Sequence, residues 1–187
     1  MNGDPRHTVT RFDAELANLR GLVLDMGHYV ITQIEHAVEA LNEESVELAR
    51  EVVRRDHVVN GFDVKCDEES IRILALRQPV ASDLRTVMSL AKSVADLERI
   101  GDEAKKLARV AIKLYESDAS FPNQQLLRDV SSMAAIACAM LRGALAALSD
   151  LDVHKAVEVA KFDAELNSEF HAALRRLATY IMEDHRN

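Results

Sequence analysis

Apolar residues in the first part of the chain fall at Phe12, Leu16, Leu19, Val23, Met26, Val30, Ile34, Ala37 and Leu41, stepping by three and four. That period marks one buried helix face and predicts a first helix from about residue 8 to 42. Ser45 suits the cap of a second helix. It runs to about Arg77 and stops before Pro79, because the residue preceding a proline is pushed out of the α region. Ser82 is the expected cap of a third helix, with Asp83 in the first turn, where the helix dipole favours an anion; this helix reaches about Glu116. SDASFPN, residues 117 to 123, reads as a linker. A fourth helix follows to about Ser149, and a fifth starts from an Asp152 cap and persists almost to the C-terminus.

The pattern then repeats. At an offset of 107 residues, Leu19 matches Leu126, Met26 matches Met133, and Ala37, Ala40 and Leu41 match Ala144, Ala147 and Leu148. Val46, Ala49, Glu51, Val52, Asp56 and Asn60 match Val153, Ala156, Glu158, Val159, Asp163 and Asn167, and the two caps, Ser45 and Asp152, keep the same spacing. Eleven identities on one gapless diagonal, in phase with helix caps, exceed what Ala and Leu bias produces. The expected fold is all-α, a tandem repeat of antiparallel three-helix bundles, with domains at 8–117 and 122–187.

Composition agrees with long packed helices. Aromatic residues make up 4%, Trp is absent, and six Gly and three Pro leave few breakers. A net charge of −8 argues against a protein whose main work is neutralising nucleic-acid phosphates. The N-terminal MNGDPRHTVT has no apolar stretch of the signal-peptide kind, and the longest uninterrupted apolar run, Met133 to Leu141, is nine residues, so a soluble, cytoplasmic chain is expected. Cys66 and Cys138 form no CxxC pair and both fall in helical patterns, where two reduced, packed thiols are expected.

Candidate chemistry resides in carboxylates. Along the fifth helix the line Ala156, Ala160, Asp163, Asn167, Phe170, Leu174, Leu177, Ile181 is apolar except at Asp163 and Asn167; their mates Asp56 and Asn60 follow Ala49 and Val53 on the second helix, with Asp63 one step further. If the second and third helices turn back near residues 79 to 80, Asp56 lies level with Asp102, and Asn60 with Glu98 or Arg99. Three carboxylates in a partly buried seam would repel one another and resist ionisation. A hard or borderline cation such as Mg²⁺, Mn²⁺ or iron would relieve them. Equally, Glu98 and Asp102 can pair with Arg99, Lys105 or Lys106 on a solvated face. Gly101, costing about 1 kcal/mol in a helix relative to Ala, implies close helix approach or access to the adjacent carboxylates. No E-x-x-H occurs, and His28, His36 and His57 read as surface residues. Neither a G-x-x-x-x-G-K-[ST] loop, nor G-x-S-x-G, nor a catalytic Cys/His context is present, and no enzyme is expected.

The segment RQPVASDLRTVMSLAKSVADLERIGDEAKKLAR, Arg77 to Arg109, resembles the signature of the PhoU family, as do F-x-A-E-L at Phe12 to Leu16 and M-E-D at Met182 to Asp184. The resemblance implies two three-helix repeats. It further implies a cytoplasmic negative regulator of the phosphate-starvation response, an adaptor coupling the ATPase of a phosphate-specific ABC transporter to a sensor histidine kinase. Such a protein would sit peripheral to the inner membrane through its partners. The family's paired E/D-x3-D metal motifs map onto Glu98 with Asp102, Asp56 with Asn60 and, more weakly, Asp163 with Asn167. Asn60 and Asn167 depart from the acidic pattern, which implies a labile, mononuclear ion. The alternative function is a metal-dependent or metal-storing enzyme on a helical scaffold.

Adding the repeat offset to Asp83, Glu98 and Asp102 gives positions 190, 205 and 209, beyond Asn187. The second bundle is therefore expected to be incomplete, with two helices only, whether that end is natural or the product of shortening. Asp163 and Asn167 would lack facing ligands. Phe170, Leu174, Leu177 and Ile181, with Leu126, Val130 and Met133, would be partly uncovered, and a homodimer is expected to bury them.

Overall fold

The computed structural model describes residues 5–117 and 123–184, with side chains from 11 to 182 within those ranges. Most of the expected linker, residues 118–122, lies outside the described residues. The elements are α1 (Pro5–Asn42), α2 (Val46–Arg77), α3 (Ala81–Glu116), α4 (Gln124–Asp150), α5 (Val153–Lys161) and α6 (Asp163–Asp184). Among the described residues no strand occurs. Where one fifth helix was expected there are two. At Phe162 the N–H donates to the Val159 carbonyl at 3.1 Å, a tightened turn that closes α5 before the Phe162 carbonyl accepts from Leu166 and α6 resumes.

The repeat is visible bond for bond at the first turn of each half. Ser45 donates its N–H to the Ala40 carbonyl at 2.9 Å, and Asp152 donates to Ala147 at 2.9 Å. Glu44 and Leu151, one offset apart, both adopt the left-handed conformation, with φ of 56° and 54°. The capping chemistry follows: the Ser45 hydroxyl accepts from Leu48 N–H at 3.3 Å, and the Asp152 carboxylate accepts from His154 and Lys155 N–H at 2.9 and 3.2 Å. Ser82 departs from expectation. Its helix begins one residue earlier, at Ala81, and its hydroxyl turns to the Asp83 carboxylate at 3.4 Å.

The chain forms two compact units, one of Met1–Val30 with Arg54–Glu103 and the other of Ile31–Val53 with Ala104–Asn187. These boundaries cut across α1, α2 and α3 and so differ from the repeat boundary read in the sequence. In the first unit the core comprises Leu19, Val23, Met26 and Val30 of α1, Val59, Cys66 and Ile73 of α2, and Val87, Leu90, Val94 and Leu97 of α3, all nearly inaccessible. A methyl placed on Gly101 would stand 3.2 Å from Val59 Cγ1, so this glycine marks close approach of α2 and α3.

In the second unit Ala37, Ala40, Leu41, Ala49, Val52, Ala108 and Ala111 form a core of mostly small side chains, sheathed by Leu48, Leu107, Ile112, Leu127 and Val130. The Tyr115 hydroxyl donates to the Leu41 carbonyl at 2.5 Å. Gly143 admits Val159 so closely that an added methyl would lie 2.6 Å from Val159 Cγ2. The α4–α6 side is held by a polar bridge: buried Asp129 accepts from Arg176 Nε at 2.8 Å and from Gln125 at 3.1 Å, while Arg176 also donates to Glu169 at 2.8 Å. The Arg176 guanidinium keeps the Asp129 carboxyl below its ordinary pKa.

Two expectations are refined here. Cys66 and Cys138 are buried and unbonded to each other; burial pushes the Cys66 thiol up to about 11, so it stays protonated. The α4 helix, judged by its longest apolar run, looked too short for a bilayer; judged over 18 residues its mean hydropathy is 1.6, apolar and long enough to cross one. Within the fold, its Leu127 and Val130 pack on the small-residue core. Phe170, Leu174 and Ile181 of α6 are close to half exposed.

Leu151 combines a left-handed backbone with an exposed side chain, so its side chain brings steric cost with little burial in return. Leu151→Gly is expected to stabilise the chain by about 0.5–1 kcal/mol, the relief of the left-handed penalty less the backbone entropy of glycine. Thermal unfolding of the variant, with a higher Tm, checks this.

Candidate functional site

The segment that carries the most distinctive residues, Arg77 to Arg85, spans the turn between α2 and α3 and the first turn of α3. The sequence requires a sharp reversal there, since Pro79 cannot continue a helix. Gln78 and Ala81, on either side, take φ of 48° and 50°, a conformation that costs a residue with a Cβ roughly 1–2 kcal/mol. The turn also presents apolar side chains to solvent: Leu76 at 63%, Val80 at 74% and Leu84 at 40% exposure, with Met88 one turn beyond Leu84 at 45%. Arg85 stands exposed among them.

A strained, apolar turn needs an anchor, and α1 supplies it. Arg77 donates Nε and Nη2 to the two Glu15 carboxylate oxygens at 2.8 and 2.7 Å, a bidentate pair with both partners largely covered. Arg72 extends the network, donating to Glu69 at 3.0 and 2.5 Å and reaching Glu15 at 3.4 Å. Hydrogen bonding from Arg77 holds the Glu15 carboxyl below the ordinary glutamate range, and Arg72 does the same for Glu69. Glu15 lies within the F-x-A-E-L stretch, but nothing local gave it a role. Its partner is 62 residues away.

The metal-candidate residues divide. Asp56 is buried at 8% exposure, while Glu98 and Asp102 are half-buried on α3, flanking buried Leu97 and Gly101. Val59 faces Gly101, so the antiparallel register of α2 and α3 lies within about half a turn of the one expected. Asn60, expected in the seam, is exposed. The buried line of α2 runs Val52, Asp56, Val59, Cys66, Ser70, Ile73, and Asn60 lies just outside it. Asp56 and Asp102 both interact with neighbouring groups. Among the described residues no three His, Cys, Asp or Glu side chains stand together as a metal group. The donors therefore fit a largely hydrated hard cation on one or two carboxylates and do not fit a protein-caged one. Asp163 and Asn167 are exposed instead of interrupting a buried line, and the Asn167 amide donates to the Asp163 carboxylate at 3.0 Å. His28 and His57 are exposed, and His36 is half-buried.

Among the described residues this is an all-helical repeat whose most distinctive residues sit on an exposed, anchored turn, and it belongs to the class of helical repeat proteins. The PhoU domain matches residues 23–111 and 130–187, and the chain belongs to the PhoU family. It is 44% identical over 181 residues to the phosphate-specific transport system accessory protein PhoU homolog of Pseudomonas putida, covering 97% of this chain and 70% of that protein. With the Escherichia coli accessory protein PhoU it shares 38% identity over 97% of this chain and 73% of the relative. The crystal structure of PhoU from Pseudomonas aeruginosa superposes with a TM-score of 0.86 at 44% identity, over 94% of this chain and 82% of that one. That of the phosphate transport system regulatory protein PhoU from Streptococcus pneumoniae gives 0.82 at 28% identity, over 92% and 79%. These relatives are named as accessory or regulatory proteins.

The Glu15 anchor makes the turn sensitive to acid. Because the folded-state pKa values of Glu15 and Glu69 are depressed, their contribution is full above the ordinary glutamate pKa of about 4.3 and is lost as pH falls through the lower folded values. Glu15→Gln should remove part of this acid dependence and loosen the turn. Amide protection over residues 76 to 84, taken relative to the intrinsic exchange rate at each pH, is expected to fall between neutral pH and about pH 3 in the parent chain, below the ordinary glutamate range, and to be already reduced at neutral pH in the variant.

Proposed function

We propose that this chain is a regulatory accessory protein of a phosphate-specific transport system, acting as an adaptor and not as a catalyst. The observation that carries this reading is its 44% identity, over nearly its whole length, to a protein bearing that name. The finer role is that of a negative regulator of the phosphate-starvation response, working in the cytoplasm at the membrane face. There it touches the transporter ATPase and a sensor histidine kinase. The α2–α3 turn is the docking surface for the transporter, because exposed Val80 and Leu84 are held on a bidentate Glu15–Arg77 anchor and exposed apolar residues on a rigid support favour partner binding.

Co-purification from cells grown in high and low phosphate tests the proposal. The transporter ATPase and the kinase are expected to accompany the parent chain, and Val80→Glu with Leu84→Glu should lose the ATPase while helical content stays unchanged. Turnover of a phosphorylated compound by the purified chain, or retention on vesicles free of both partners, would overturn it.

A divalent ion on Glu98 and Asp102 is a further part of the proposal. With two half-buried carboxylates one turn apart it would keep most of its water and exchange readily. Calorimetric titration with Mn²⁺ should show weak binding that Glu98→Ala with Asp102→Ala abolishes. Unchanged affinity in the double variant would remove these residues from any site.

A further inference from the structure

A groove of about 430 Å³ lies in the second unit between the C-terminal half of α1 and α4. Its floor is apolar, with Ile34 and Val38 from α1 and Ala135 and Cys138 from α4. Polar links bracket it. At one end the Asn42 amide donates to the Ser131 hydroxyl at 2.9 Å, and at the other Arg142 pairs with Glu35.

The α1 rim is acidic. Glu35, Glu39 and Glu43 follow one another at single-turn spacing along that wall, about 6 Å apart on a helix. Glu35 is engaged by Arg142, whereas Glu39 and Glu43 are exposed and make no ion pair among the described residues. On the floor the Cys138 thiol is raised first by burial and then by Glu35, with Arg142 opposing.

We infer that this groove docks a basic amphipathic helix of a protein partner, which sets Lys or Arg on Glu39 and Glu43 and small apolar side chains on the floor. Charge complementarity selects that occupant. An apolar floor accepts the buried face of a helix; a row of carboxylates at turn spacing matches basic residues one turn apart; and the chain's net charge of −8 steers a cationic segment towards it. A second copy of this acidic chain would bring like charge to the rim. The inference is independent of the transporter reading, since it uses no residue of the α2–α3 turn.

The probe is a synthetic 18-residue helical peptide of alanines and lysines with lysines one turn apart, and its comparison replaces every lysine with glutamate. Methyl NMR of the full chain should show shifts at Ile34 and Val38 with the lysine peptide alone, weakening as salt screens the contact. Glu39→Lys with Glu43→Lys should weaken binding by about tenfold or more, while Glu158→Lys with Glu165→Lys, an equal charge change on exposed residues of α5 and α6, should leave it within about twofold. Equal losses from the two reversals would reduce the effect to general attraction and overturn the inference. So would equal binding of the glutamate peptide, shifts that avoid Ile34 and Val38, or self-association of the chain through this face.

Discussion

Close helix approach along a single line of α3 is the constraint on which the rest of the structure depends. Gly101, Ala104, Ala108 and Ala111 follow one another at steps of three and four and are all buried. A side chain no larger than a methyl lets two helix backbones approach closely while larger neighbours interlock at the edges. Val30 and Val59 meet this line at Gly101, and Ala37, Ala40 and Ala49 belong to the core with Ala108 and Ala111. Because interiors are close-packed, one added methyl at the tightest of these points must be absorbed by a branched side chain with little freedom to move.

Reversing such long helices costs backbone strain, and the chain accepts it at the turns. Glu44, Gln78, Ala81 and Leu151 are the non-glycine residues with positive φ among the described residues, and each sits where one helix gives way to the next. In the two equivalent turns, one such residue is offset by a cap that satisfies free helix N–H groups. The α2–α3 turn carries two strained residues within four positions and has the Glu15–Arg77 pair as its anchor. Strain, exposed apolar side chains and a part-buried ionic anchor coincide there.

Carboxylates do different work according to where they stand relative to a seam. Asp129 is buried and tied to Arg176 across α4 and α6; Glu15 fixes the distant turn; Asp163 accepts a local bond from Asn167 at the surface; Glu39 and Glu43 remain exposed along a groove. Residue type alone does not separate these roles. A buried ion pair is costly to break because it strands a charge, whereas an exposed glutamate is free to meet a partner's cation.

The extents of the first four helices, the caps at Ser45 and Asp152, the 107-residue repeat and the family motif were legible in the chain itself. The helices and caps depend on neighbours a few residues away: apolar period, proline geometry and side-chain capping are local physics. The seam phase was not local. Val52 and Val53 are both apolar and lie on either side of the line through Asp56, so periodicity fits a buried edge through Val53 and Asn60 as well as one through Val52 and Val59. Only packing against α1 and α3 chose the latter, and that choice put Asn60 in solvent and left Asp56 inside. The pairing of Glu15 with Arg77 and the acidic groove likewise arise from tertiary structure, because each depends on how segments distant in sequence come together.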